Sequence, residues 1–177
     1  MLKFVMKKFT PVIPEPHSGQ SKAGWELFAK DQWLTDVWQE RIGGNWQFVD
    51  KLACRNMSAA SRLHALELGI LSSARWIAVE LEKAPGPLPA GEARVYGVGL
   101  DLLPRGSGSY GLRLAHDLKR EDLGAVGDNG APWIAVGPYL QVMAPKPCAS
   151  REQALTALIE HAAPWIAAAL DEELEKP

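Results

Sequence analysis

Four histidines, two cysteines and one glycine-rich run are the residues of this chain whose types suit chemistry, and their spacing keeps them apart. Metal sites need ligands that converge, and His17, His64, His116 and His161 recur at no ligating interval. Cys54 and Cys148 lack the CxxC spacing of redox and zinc motifs. No metal and no cofactor are therefore expected. His116 and Asp117 are neighbours on a predicted strand and point to opposite faces, so one cannot orient the other as a base and its carboxylate require. His64 and Glu67, one turn apart, read with Arg75 and Glu82 as a solvated, ion-paired helix face. Cys148 precedes the cap of the last helix, where the macrodipole favours a thiolate, and it is the best candidate reactive group. The run Gly106-Ser-Gly-Ser-Tyr-Gly111 lacks the Lys-Ser or Lys-Thr of a phosphate loop, and the residues after it alternate like a strand. It reads as a hairpin loop, and no catalytic residue is assigned.

The compositional excess is tryptophan, seven in all, with Trp25, Trp33, Trp38 and Trp46 crowded near the amino terminus. Indoles bring large apolar area with few rotatable bonds and are enriched at binding hot spots. Drawn as a helix, this region places Trp33 about 140° from Trp38, too far around for one contact with the core to cover both. That leaves Trp33 with Val37 as the apolar centre of a partner surface, rimmed by Glu26, Asp36 and Glu40, an acidic border suited to a basic protein. The function expected is a non-enzymatic, cytoplasmic protein-binding domain of inhibitor, immunity or accessory-factor type. The competing expectation is a small-ligand binder or enzyme with a pocket between sheet and helices, using Arg113, His116 and Tyr139.

The elements that would position these residues give an α+β chain: a helical amino-terminal half, a three-stranded antiparallel meander and a long closing helix packed on the sheet. Residues 1–20 read as an extended arm or short strand. Helices are expected over 22–42, 45–53 and 59–83, the last capped by Ser58, with Leu63, Leu66, Ile70 and Ile77 inside. Prolines and glycines interrupt the chain over 84–91. Strands over 92–103 and 109–118 flank a five-residue loop, 119–131 is turn-rich, and a third strand spans 132–143. Ser150 and Gln153 form a capping box for a helix to about residue 175, with Pro164 set to kink it or begin its second half. No βαβ alternation and no internal repeat is evident, so 1–177 is read as one domain without a doubly wound nucleotide fold. With 47% hydrophobic residues, a net charge of -2 and a pI near 6.1, the chain has no basic field to draw nucleic acid or an anionic membrane. No apolar run reaches membrane-helix length.

Overall fold

The computed structural model describes residues 1–9, 24–39, 43–83, 97–117, 119–128, 132–138 and 147–176. In chain order these form β1 (Leu2–Phe9), β2 (Gly24–Ala29), β3 (Gln32–Gln39), β4 (Trp46–Asp50), β5 (Arg55–Ala59), α1 (Arg62–Lys83), β6 (Val98–Gly106), β7 (Ser109–His116), β8 (Lys119–Asp128), β9 (Trp133–Val136) and α2 (Arg151–Glu175). All nine strands join one sheet of order β5-β4-β3-β2-β1-β6-β7-β8-β9. Each neighbouring pair is antiparallel. The two helices pack on each other, α1 over β3 and β4, α2 over β8 and β9. No helix among the described residues is long and apolar enough to cross a membrane.

The helical amino-terminal half is overturned: the stretches expected to be helices over 22–42 and 45–53 contain β2, β3, β4 and the start of a turn into β5. The reason lies in the pattern that makes the first of these segments look apolar on two faces. Trp25, Leu27 and Ala29 repeat every second residue, and Leu27 and Ala29 are fully buried on the face turned to the helices. Trp, Phe, Thr and Val also suit a pleated, half-buried surface better than a helix. The reversal between β2 and β3 is made by Lys30-Asp31, with Lys30 at φ +56°. Nothing in that pair advertises a hairpin, because glycine or asparagine usually supplies a positive φ.

The three-stranded meander is corrected to four strands. Residues 119–128, expected to be turn-rich, form β8, and β9 is four residues long. The hairpin between β6 and β7 turns on Ser107-Gly108, tighter than the expected five-residue loop, with Gly106, Ser107 and Gly108 all at positive φ. In α1, Leu66, Ile70 and Ile77 are buried as expected, but Leu63, in the first turn beside the edge strand β5, is 40% exposed. Ser61 rather than Ser58 caps this helix, its hydroxyl accepting from the His64 amide at 3.1 Å, because residues 55–59 are committed to β5. At α2 the Gln153 amide donates to Ser150 Oγ at 3.2 Å, and the Gln153 side-chain oxygen accepts from the Ala149 amide. The helix then runs continuously through Pro164.

The element order reads twice, a meander followed by a helix: β1 to β5 with α1, then β6 to β9 with α2. The expectation of no internal repeat is therefore corrected. Laid together without a gap, α1 and α2 share Arg62/Arg151, Ala65/Ala154, Leu66/Leu155, Ile70/Ile159, Ala74/Ala163, Trp76/Trp165, Ile77/Ile166, Ala78/Ala167 and Leu81/Leu170, each pair 89 positions apart. The capping serines Ser61 and Ser150 keep the same interval. In the sheet the correspondence is carried by structure. β3 is bulged between the positions opposite Leu27 and Phe28, which leaves Leu34 as the extra residue; β8 is bulged in the same place, which leaves Leu123. The pairing of β1 with β6 at Lys3 and Gly99 puts a pseudo-twofold axis at the centre of the sheet.

Reciprocal contacts obey that axis. Arg62 at the start of α1 pairs with Asp171 near the end of α2 at 2.5 Å, and Arg151 at the start of α2 pairs with Glu82 near the end of α1 at 2.6 Å. The Arg62 guanidinium lies 5.8 Å from the Trp25 ring and that of Arg151 lies 4.6 Å from the Tyr110 ring. Trp25 and Tyr110 occupy matching places, two residues before Leu27 and Leu112, which face Thr35 and Gly124 just beyond the bulges. Strand shifts differ from the helix shift, so a search for one fixed period passes over the repeat.

Candidate partner-binding surfaces

On the sheet face turned away from the helices, Glu26 of β2 stands directly opposite Asp36 of β3. The Trp33 indole N–H donates to Asp36 Oδ1 at 2.6 Å. Burial raises the pKa of Asp36 above its ordinary 3.8; the indole bond opposes the rise and the neighbouring charge of Glu26 adds to it. Lys7 is opposite Glu26 on the other side, but its ammonium sits 4.2 Å over the Phe28 ring. Among the described residues no ion pair reaches Glu26 or Asp36. Like charges directly across a strand pair are destabilising, so among the described residues this pair is an acidic spot without an ion pair, beside an indole.

The bulge at Leu34 returns Trp33 and Trp38 to the same face, where both are half-buried. The helical projection that separates them does not hold in a strand. Val37 is fully buried on the opposite, helix-facing side, paired with Trp25 and Phe48; it belongs to the core and is not the centre of a surface. Glu40 lies outside the described residues.

Trp33 also borders a seat that the sequence pattern does not single out. Lys51, just after β4, donates from its ammonium to the Trp33 carbonyl. The same ammonium lies 5.4 Å from the Trp33 ring and 4.7 Å from the Trp76 ring of α1. The Lys51 amide donates to Ser72 Oγ at 3.4 Å, and burial lowers the pKa of the side chain. A cation over aromatic faces is held by the ring quadrupoles. Its parts come from three elements, so no local motif announces it.

Arg113 and His116 are three residues apart on β7 and so point to opposite faces of the sheet; the structure does not bring them together. Tyr139 lies outside the described residues. His116 Nε2 is 2.9 Å from Glu173 Oε1 and its Nδ1 is 3.8 Å from Glu172. Ligand atoms of His116, Asp117 and Glu172 lie within 4.8 Å of one another. A cation of the chain's own already serves this corner: Lys176 bonds to Asp117 and Glu173, and that bond holds the Asp117 carboxyl below its usual range. Cys148 exchanges backbone hydrogen bonds with Trp133 at 2.9 and 3.1 Å.

A depression of about 550 Å³ opens on the carboxy-terminal side of the sheet, lined by residues 120–123, Pro138, His161 and Trp165. Trp165 is 43% exposed, with the His161 ring 5.5 Å away. Arg120 in its wall pairs with the buried Asp101, and Asp122 pairs with Arg105 at 2.7 Å. Glu121 makes no hydrogen bond or ion pair with a described residue. Comparison with protein-family models, with curated proteins and with solved structures finds no match.

Proposed function

We propose that the chain is a protein-binding domain of inhibitor, immunity or accessory-factor type that takes a basic segment of its partner on the face of β2 and β3. The observation that carries this reading is the Glu26 and Asp36 pair, set opposite in register beside the Trp33 indole and reached by no cation of the described chain. A partner lysine or arginine would relieve the repulsion and gain a charge-assisted hydrogen bond, while the half-buried Trp33 and Trp38 supply apolar area. An unexploited like-charge pair would only weaken the sheet. The thiols of Cys54 and Cys148 suit a reducing compartment, the cytoplasm.

The test compares wild type with a Glu26→Gln, Asp36→Asn double variant as bait in native extract, with thermal melts beside it. The amides keep the shape of the carboxylates, so folding should be unimpaired. The reading requires a partner that binds wild type, weakens steeply with added salt and is lost from the variant. A partner held equally by both baits would refute it.

A further inference from the structure

The repeat supplies an internal comparison for the depression at Trp165. Trp33 and Asp122 each precede the bulged leucine of their strand, opposite Phe28 and Arg113 respectively. Lys51 comes five residues after Trp46 as Pro138 comes five after Trp133, and these two tryptophans pair with Gln39 and Asp128, which match across the repeat. Ser72 matches His161, and Trp76 matches Trp165. The depression is therefore the second copy of the seat that Trp33, Lys51, Ser72 and Trp76 form in the first. In the first copy the lysine fills it; in the second a proline and an aspartate stand where the lysine and the indole would be, and among the described residues Trp165 is left 43% exposed beside the hollow.

We propose that this depression seats a lysine or arginine side chain of a basic protein segment, in the place that Lys51 takes over Trp76. The chemistry left in the hollow suits that occupant. An indole face attracts a cation, and Glu121 offers a carboxylate that no described residue engages. Arg120, the one permanent cation in the wall, is paired with Asp101, whose carboxylate also faces the amino-terminal ammonium at 3.7 Å. Beyond the ring, Glu121 and Glu172 line a smaller hollow with Lys119 and His116, so carboxylates stand on that side of Trp165 as well. This site is separate from Glu26 and Asp36 and does not depend on them.

The experiment uses the full chain labelled with nitrogen-15 and follows the indole N–H signals, that of Trp165 being identified by its loss in Trp165→Phe. The probes are a capped tetralysine and the same peptide with every lysine acetylated. Tetralysine should move the Trp165 signal saturably and the acetylated peptide should not. Trp165→Ala, read from the backbone amides of residues 120–123, should weaken binding about fivefold, and Glu121→Gln about twofold or more. Pro138→Lys should shift the Trp165 signal without peptide and block the added one, because the chain then supplies its own occupant. An unmoved Trp165 signal at millimolar peptide, an equal response to the acetylated peptide, or unchanged binding by Glu121→Gln and Trp165→Ala together would overturn the proposal. Movement of the Trp33 signal alone would also overturn it while supporting the β2 and β3 surface, so the two readings fail separately.

Discussion

Gly69 sits where α1 crosses β3, one turn before Ser72 and two before Trp76, so its packing decides whether the Lys51 seat is assembled. A β-carbon at this position would lie 2.5 Å from Thr35 Cγ2 and 3.1 Å from Thr35 Cβ and Oγ1. Thr35 cannot easily give way. It is fully buried, β-branched and therefore stiff about χ1, and its hydroxyl donates to the Val49 carbonyl at 2.9 Å. Overpacking of this kind costs about 1 to 3 kcal/mol, whereas alanine in place of glycine inside a helix returns about 1 kcal/mol. Gly69→Ala should therefore lose up to about 2 kcal/mol net. In a Thr35→Ala background the nearest atom is gone, and the same substitution should be neutral or slightly stabilising, a coupling of about 1 kcal/mol or more. Urea unfolding of the four proteins, followed by tryptophan fluorescence, measures it. Equal losses in both backgrounds, or a gain for Gly69→Ala in the wild-type background, would refute the contact and with it the placement of Ser72 and Trp76.

The reciprocal ion pairs give a second expectation: Arg62→Ala and Arg151→Ala should each lower stability by about 1 kcal/mol, because each removes a half-buried pair and the cover of an aromatic ring. Their effects should add, since they lie at opposite ends of the helix pair; a thermal melt in which one variant is silent would contradict their equivalence. A third concerns Asp36, whose folded-state pKa stands above 3.8. Its charged form then costs stability above the folded pKa, and the cost fades as pH falls through that value. Asp36→Asn should raise the melting temperature near neutral pH and lose that advantage by about pH 3, below the ordinary carboxylate value; calorimetry at the two pH values checks it.

The fold is legible in the sequence where one period rules a long segment. The apolar stripe Leu66, Ile70, Ala74, Ile77 and Leu81 marks α1, and Ser150 with Gln153 marks the start of α2, because helix geometry and capping are local. The region from Trp25 to Val49 misleads for a physical reason. Short strands, the first two joined by a turn without glycine and the second interrupted by a bulge at Leu34, scatter apolar residues so that a helical wheel accommodates them. β8 escapes notice because its first four residues, Lys119 to Asp122, are exposed and charged, and register with β7, not hydrophobicity, holds them. Of the proposed surface, Glu26, Asp36 and Trp33 do stand together, though through a hairpin and not a helix face. Val37 cannot be placed from the sequence, since its face depends on the bulge. The seat of Lys51 is out of reach of any local pattern.

The repeat separates what the frame requires from what it leaves free. Positions that carry the same residue in both copies have packing duties: the capping serine, the arginine laid over an aromatic ring, the bulged leucine, and the Ile-Ala-Leu stripe between the helices. One difference is compensated, since Gly69 against Thr35 becomes Leu158 against Gly124, where a β-carbon would meet Leu158 Cδ1 at 2.9 Å. Bulk has moved from strand to helix and the layer spacing can stay the same. The changes at Trp33, Lys51 and Ser72 have no such compensation: aspartate, proline and histidine leave a hollow. Trp165 nevertheless keeps the indole of Trp76, 43% of it in water. A singly exposed apolar residue is ordinary on a protein surface; what sets Trp165 apart is its place beside a hollow that Lys51 fills in the first copy. A bound cation accounts for both the ring and the space above it.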